Sequence, residues 1–70
     1  NMYNIGDHIR DCTRPVITGY VVCKIQTESR AWNPTTKKPD GEILTKISYI
    51  VISKATNHSF EIEHKNAELL

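Results

Sequence analysis

Val16-Ile17-Thr18-Gly19-Tyr20-Val21-Val22-Cys23-Lys24-Ile25-Gln26-Thr27 is the stretch whose reading decides the fold. It is crowded with β-branched side chains, which lose rotamer freedom in a helix and suit a pleated surface. Read with a period of two, it places Ile17, Val21, Cys23 and Ile25 on one face, and Thr18, Tyr20, Val22, Lys24 and Gln26 on the other. The first set is the purer apolar face and is expected to look inward. Gly19 interrupts the run, and a glycine inside a strand marks a bulge or a sharp bend.

The same alternation extends outward from this strand. Residues 7–12 read as a shorter strand, with His8 and Arg10 alternating against Ile9, and Arg14-Pro15 reads as the turn that follows. Residues 43–54 read as a third strand, with Ile43, Ile47, Tyr49 and Val51 inward and Leu44, Lys46, Ser48, Ile50 and Ile52 outward. Thr56-Asn57-His58 is a hairpin turn, and residues 59–63 form a fourth strand with Phe60 and Ile62 in, Glu61 and Glu63 out. Asn66 is placed to cap a single turn that brings Leu69 and Leu70 back onto the domain. Between the second and third strands the pattern breaks at residues 29–42, where Asn33-Pro34, Lys37-Lys38 and Pro39-Asp40-Gly41 supply turn chemistry. Loops of this length in small domains are often functional.

Composition agrees with the pattern. Among 70 residues there are nine Ile, four Val and seven Thr but only three Leu. Residues 1–70 suffice for one small domain, which buries only about 60% of its unfolded surface. Four or five short strands in so small a chain are expected to close on themselves to bury one face. The expected fold is therefore all-β: a small barrel of four to five antiparallel strands with a long loop at about 29–42.

The frame Tyr3-x-Ile5-Gly6-Asp7-x-Ile9-Arg10, then Gly19-x-Val21-Val22, Tyr49-x-Val51, Phe60-x-Ile62 and a closing Glu68-Leu69 resembles the Src-homology-3-like barrels. Tudor-type and KOW-type domains and many small phage and plasmid proteins share that frame. The resemblance implies a small binding module, of the kind found among phage or mobile-element accessory proteins. The type II, plasmid-encoded dihydrofolate reductases have a similar size and frame and build one active site at the centre of a tetramer. Where they carry a Val-Gln-Ile-Tyr run, this chain has Phe60-Glu61-Ile62-Glu63, so the Gln and Tyr are both replaced by carboxylates, which would repel an anionic cofactor.

The net charge is +1, below the basic excess of a dedicated DNA-binding module. No apolar run approaches the roughly 20 residues needed to span a bilayer, and Asn1-Met2-Tyr3 does not open a secretory leader. Cys12 and Cys23 are expected to be free, partly buried thiols in a reducing, cytoplasmic setting. His8, His58, His64, Glu61 and Glu63 offer metal-ligand atoms, but no Cys-x-x-Cys or His-x-x-x-His pair organises them, so no metal or cofactor is expected. No Ser, His and Asp set and no glycine-rich phosphate loop is present, so no catalytic residue is nominated.

The candidate contact surface is the loop face: Arg30, Trp32, Asn33, Lys37 and Lys38. The single Trp offers a large rigid surface with a polar handle, suited to a protein partner. The other reading is a loop anchor folded back over Ile50 or Ile52. The same basic loop could instead meet a phosphate backbone and stack one base. Ile50 and Ile52 on the nominal outer face suggest association of two copies through that face.

Overall fold

The computed structural model describes residues 2–70. The chain is all-β, with β1 (His8–Asp11), β2 (Arg14–Arg30), β3 (Ile43–Ile52), β4 (Ser59–Glu63) and β5 (Ala67–Leu69), and a single 3-10 turn at His64–Asn66 before β5. All pairings are antiparallel, and the order in the one sheet is β4-β3-β2-β1-β5. No ladder joins β4 to β5 among the described residues, so the sheet curls but does not close into the expected barrel. Its inner face holds the core: Ile9, Val21, Tyr49, Val51 and Ile62, all buried, with Tyr3, Ile17, Ile47, Phe60 and Ala67 packed around them.

Two local features of β2 produce this shape. Gly19 is buried opposite Ile9, and a Cβ there would lie 2.8 Å from the carbonyl oxygen of Ile52 and 2.9 Å from Val51 Cγ2. Only a residue without a side chain lets β2 cross β3 this closely. The second feature is a bulge: Val21 opposes Val51, but Cys23 already opposes Ile50. The extra residue inverts the parity of everything after it. Cys23 and Ile25, expected on the core face, therefore lie on the opposite one. Lys24 and Gln26 stand instead beside Tyr49 and Ile47. Both cysteines are free and exposed, not partly buried.

The turns also differ from the sequence reading. The first hairpin turns at Cys12-Thr13, not at Arg14-Pro15, because Asp11 organises it. Asp11 Oδ1 accepts the Thr13 N–H at 2.8 Å and the Thr13 hydroxyl at 2.6 Å, and Oδ2 accepts Arg14 Nη2 at 2.7 Å. Pro15 then sits in residues 15–17, which have no ladder partner because the register jumps from Asp11–Arg14 to Arg10–Thr18, a position that tolerates a missing donor. Arg14 Nη2 also donates to the carbonyl of Glu61 at 3.1 Å, and the Cys12 N–H donates to the carbonyl of Asn66 at 2.8 Å. The first of these bonds ties the hairpin to β4 across the seam that no ladder closes, and the second continues the β1–β5 pairing past Asp11 and Ala67.

Gly19→Ala is expected to cost about 1–3 kcal/mol through forced displacement of the β3 backbone. At about 4–8 °C per kcal/mol in a domain this size, the loss is large in a melting curve followed by circular dichroism. A melting temperature equal to the parent's would contradict the close crossing.

Asp11 carries a second expectation. Its hydrogen bonds from the Thr13 side chain, joined by those from Arg14, lower its pKa from 3.8 to about 2. The folded carboxylate resists protonation more than the unfolded one, so its contribution is complete above pH 3.8 and fades as pH falls toward 2. Asp11→Asn is expected to lower stability at neutral pH and to flatten the loss of stability in that acid window. Melting curves from neutral to acid pH that run parallel for the two proteins would remove Asp11 from this role.

Candidate functional site: a projecting two-stranded arm

β2 has 17 residues and β3 has 10, while β1, β4 and β5 have three to five. The long pair must therefore outrun its neighbours. β1 pairs with β2 only as far as Tyr20, and β4 pairs with β3 only from Ser48 onward. Residues 24–30 and 43–47 continue without a further strand on either side as a two-stranded arm, tied to the body at its base by Ile47, which packs on the core, and by Lys46, which reaches Glu61 and Glu63. The molecule measures 49 × 20 × 19 Å, with a radius of gyration of 15.0 Å. A compact domain of this length would have about 11 Å, so the arm sets the overall shape.

Cross-strand pairs in the arm are Gln26 with Ile47, Thr27 with Lys46, Glu28 with Thr45, Ser29 with Leu44 and Arg30 with Ile43. Polar residues occupy both faces of its β2 strand, and beyond Ile25 and Ile47 at the base neither face is covered. Ile25 and Ile47 are half-buried at its base, and the exposed large apolar side chains lie near the far end: Trp32 is 64% exposed, Ile43 56% and Leu44 49%. Ile43, read as a core position, has the expected parity but lies beyond the body. The sign of this in the sequence is the polar run Gln26-Thr27-Glu28-Ser29, which leaves its partners on β3 nothing to pack against.

The loop at the tip is ordered rather than irregular. The Ala31 N–H donates to Glu42 at 2.9 Å, and its carbonyl accepts Gly41 N–H at 2.8 Å. A Cβ on Gly41 would lie 2.7 Å from that carbonyl oxygen. Asn33 then bridges Lys38, its N–H reaching the Lys38 carbonyl at 2.8 Å. Asn33 Oδ1 accepts the N–H of Thr35 at 2.9 Å, and Thr36 Oγ1 donates to Asp40 Oδ1 at 2.7 Å. Lys37 takes the left-handed conformation, with φ of 57°, to close the turn.

The five nominated residues thus fall together at one end of the molecule but differ in availability. Trp32 is free. It does not fold back over Ile50 and Ile52: Ile50 pairs with Cys23, nine positions down the strand and about 30 Å away along it. Asn33 is committed to the loop through its side-chain oxygen. Arg30 Nη1 donates to the Gly41 carbonyl at 3.0 Å, and Lys37 and Lys38 carry exposed side chains. Residues 28–42 hold these three cations and three carboxylates, Glu28, Asp40 and Glu42, so the tip is electrically neutral.

The other polar groups are engaged in the body. Lys46 and then Lys65 hold the Glu63 carboxyl below its ordinary range, with Lys46 Nζ 3.4 Å from Glu63 and 3.8 Å from Glu61. Arg10 pairs with Glu68 on β5. Tyr49, Phe60 and Tyr3 belong to the core region. The buried Tyr49 hydroxyl accepts the Tyr3 N–H at 3.1 Å and lies 2.8 Å from His64 Nδ1. Tyr20 stacks on His8 at 4.4 Å, with Lys54 Nζ 4.3 Å from its ring centroid, at the opposite end from Trp32. Ile50 and Ile52 are half-buried opposite Cys23 and Tyr20. Among the described residues no group of three or more His, Cys, Asp or Glu side chains is arranged to hold a metal ion. Among the same residues no helix is long and apolar enough to cross a membrane.

No protein-family model, curated protein or solved structure matches the chain.

Proposed function

We propose that the protein is a non-enzymatic binding module that presents the tip of its arm to a protein partner. The observation that carries this reading is Trp32, 64% exposed at the tip, with Ile43 and Leu44 about half exposed on the strand that leaves it. Large apolar side chains grouped on a projecting element have little effect on stability there and a large effect on binding when a partner covers them. The loop that orders them is rigid through Asn33, Thr36 and Gly41, so little conformational freedom is lost on contact. The strand order and the single turn before β5 support the Src-homology-3-like frame as the platform, and in that class the loop between the second and third strands commonly borders the ligand. Two exposed free thiols suit a reducing, cytoplasmic setting.

The neutral tip favours protein over nucleic acid as partner. A phosphate backbone demands a net excess of cations, and Glu28, Asp40 and Glu42 offset Arg30, Lys37 and Lys38.

Trp32→Ala decides the matter. It is expected to melt like the parent, because the indole is not part of the core, and to lose the partner that the parent retains from native-host extract. Retention of that partner by the variant would remove the tip as the contact surface. Binding to random oligonucleotides that falls steeply with salt, and that Lys37→Glu with Lys38→Glu weakens, would replace the protein reading with a nucleic-acid one.

A further inference from the structure

The outer edge of β2 is open along the arm. β1 covers it as far as Tyr20, and Gly6 and Asp7 bond the backbone of Val21. From there to Arg30 no strand lies beside it among the described residues. The direction of the backbone groups follows from the tip. Ala31 exchanges hydrogen bonds with Gly41 and Glu42 across the hairpin, so it faces β3. Stepping back by twos turns Ser29, Thr27 and Ile25 toward β3 and leaves the N–H and C=O of Lys24, Gln26 and Glu28 aimed outward. The side chains of Lys24, Gln26 and Glu28 are exposed, and neither Lys24 nor Glu28 has an ion-pair partner among the described residues. An open edge with unpaired backbone groups is a template for another strand.

We propose that this edge pairs antiparallel with the same edge of a second copy, about a two-fold axis at Gln26. In that register Gln26 faces the partner's Gln26, Lys24 faces the partner's Glu28, and Glu28 faces the partner's Lys24. Directly opposed residues of such a ladder share a face with Cα atoms about 5.5 Å apart, close enough for both ion pairs to form. Neighbouring registers are worse. A shift of the axis to Thr27 sets Lys24 against the partner's Arg30, a shift to Glu28 sets the two Glu28 side chains together, and a shift to Lys24 does the same for the lysines. The charge order Lys24-x-Gln26-x-Glu28 therefore selects one register. Pairing converts two isolated two-stranded arms, each marginal in water, into one four-stranded ribbon. Trp32 lies beyond the paired stretch, so this inference does not rest on the reading of the tip.

Sedimentation equilibrium of the full chain, from low micromolar to low millimolar concentration, is the test. A monomer–dimer equilibrium is expected. Lys24→Glu or Glu28→Lys alone should weaken the dimer by about tenfold or more, since each converts two attractive cross-strand pairs into repulsive ones. The double variant K24E/E28K should restore it. All three variants should melt like the parent when monomeric, because the altered side chains are exposed and make no hydrogen bond or ion pair among the described residues. Gln26→Pro, which deletes an outward-facing donor at the axis, should also shift the equilibrium toward monomer. A chain that stays monomeric throughout overturns the proposal. So does a dimer indifferent to both charge reversals, as one formed through Ile50 and Ile52 would be, or a dimer that the double variant fails to restore.

Discussion

Gly19 is the constraint on which the rest of the structure depends. A curled sheet buries one face only if its strands cross at short range, and here the backbone of β2 meets that of β3 where Gly19 faces Ile52 and Val51. With that crossing in place, β1 swings far enough round for Ile9 to share one core with Ile62 on β4, although two strands stand between them in the sheet. Among the described residues the core has five fully buried apolar side chains. A domain so small has no surplus with which to absorb a displaced strand. The seam between β4 and the first hairpin lacks a ladder. It is held by Arg14, which Asp11 positions and whose remaining donor reaches the Glu61 carbonyl.

The bulge after Val21 divides the long ribbon into two parts with different duties. Before it, β2 contributes Gly19 and Val21 to the core. After it, β2 runs out of the body with its polar residues spread over both faces. Beyond Ile25 and Ile47 at its base, such a ribbon gains little from burial in the isolated chain. Its ordered tip, exposed Trp32 and unpaired edge are instead the features through which the molecule can meet others. On the proposed reading the body is a platform and the arm is the element that meets a partner.

Much of this was legible in the residues. The alternation in residues 43–52 and 59–63 identified Tyr49, Val51 and Ile62 as core, and Val21 before the bulge was placed with them. The parity of Cys23 and Ile25 was not legible, because the inserted residue is an ordinary Val22 with no glycine to mark it. The turn at Cys12-Thr13 was hidden by Pro15, a strong turn signal that the structure accommodates on a stretch of strand without a ladder partner. The closing β5 was too short to read from periodicity. The tip residues were nominated as a group because aromatic and basic side chains sat among turn residues. That Asn33 serves the loop, and that Ile43 and Leu44 join Trp32 in exposure, depends on how far β2 and β3 outrun their neighbours. That length is a property of strand pairing, invisible along the chain alone.

The division into a self-sufficient body and a separately held arm is tested most directly by amide hydrogen exchange on dilute protein. The amides of Val21, Val51 and Ile62 are expected to exchange only through global unfolding. Those of Ile25, Thr27 and Ser29, bonded across to β3 alone, are expected to exchange much earlier through local opening of a two-stranded ribbon. Equal protection of both sets in the dilute monomer would show that arm and body unfold as one unit and would contradict the account.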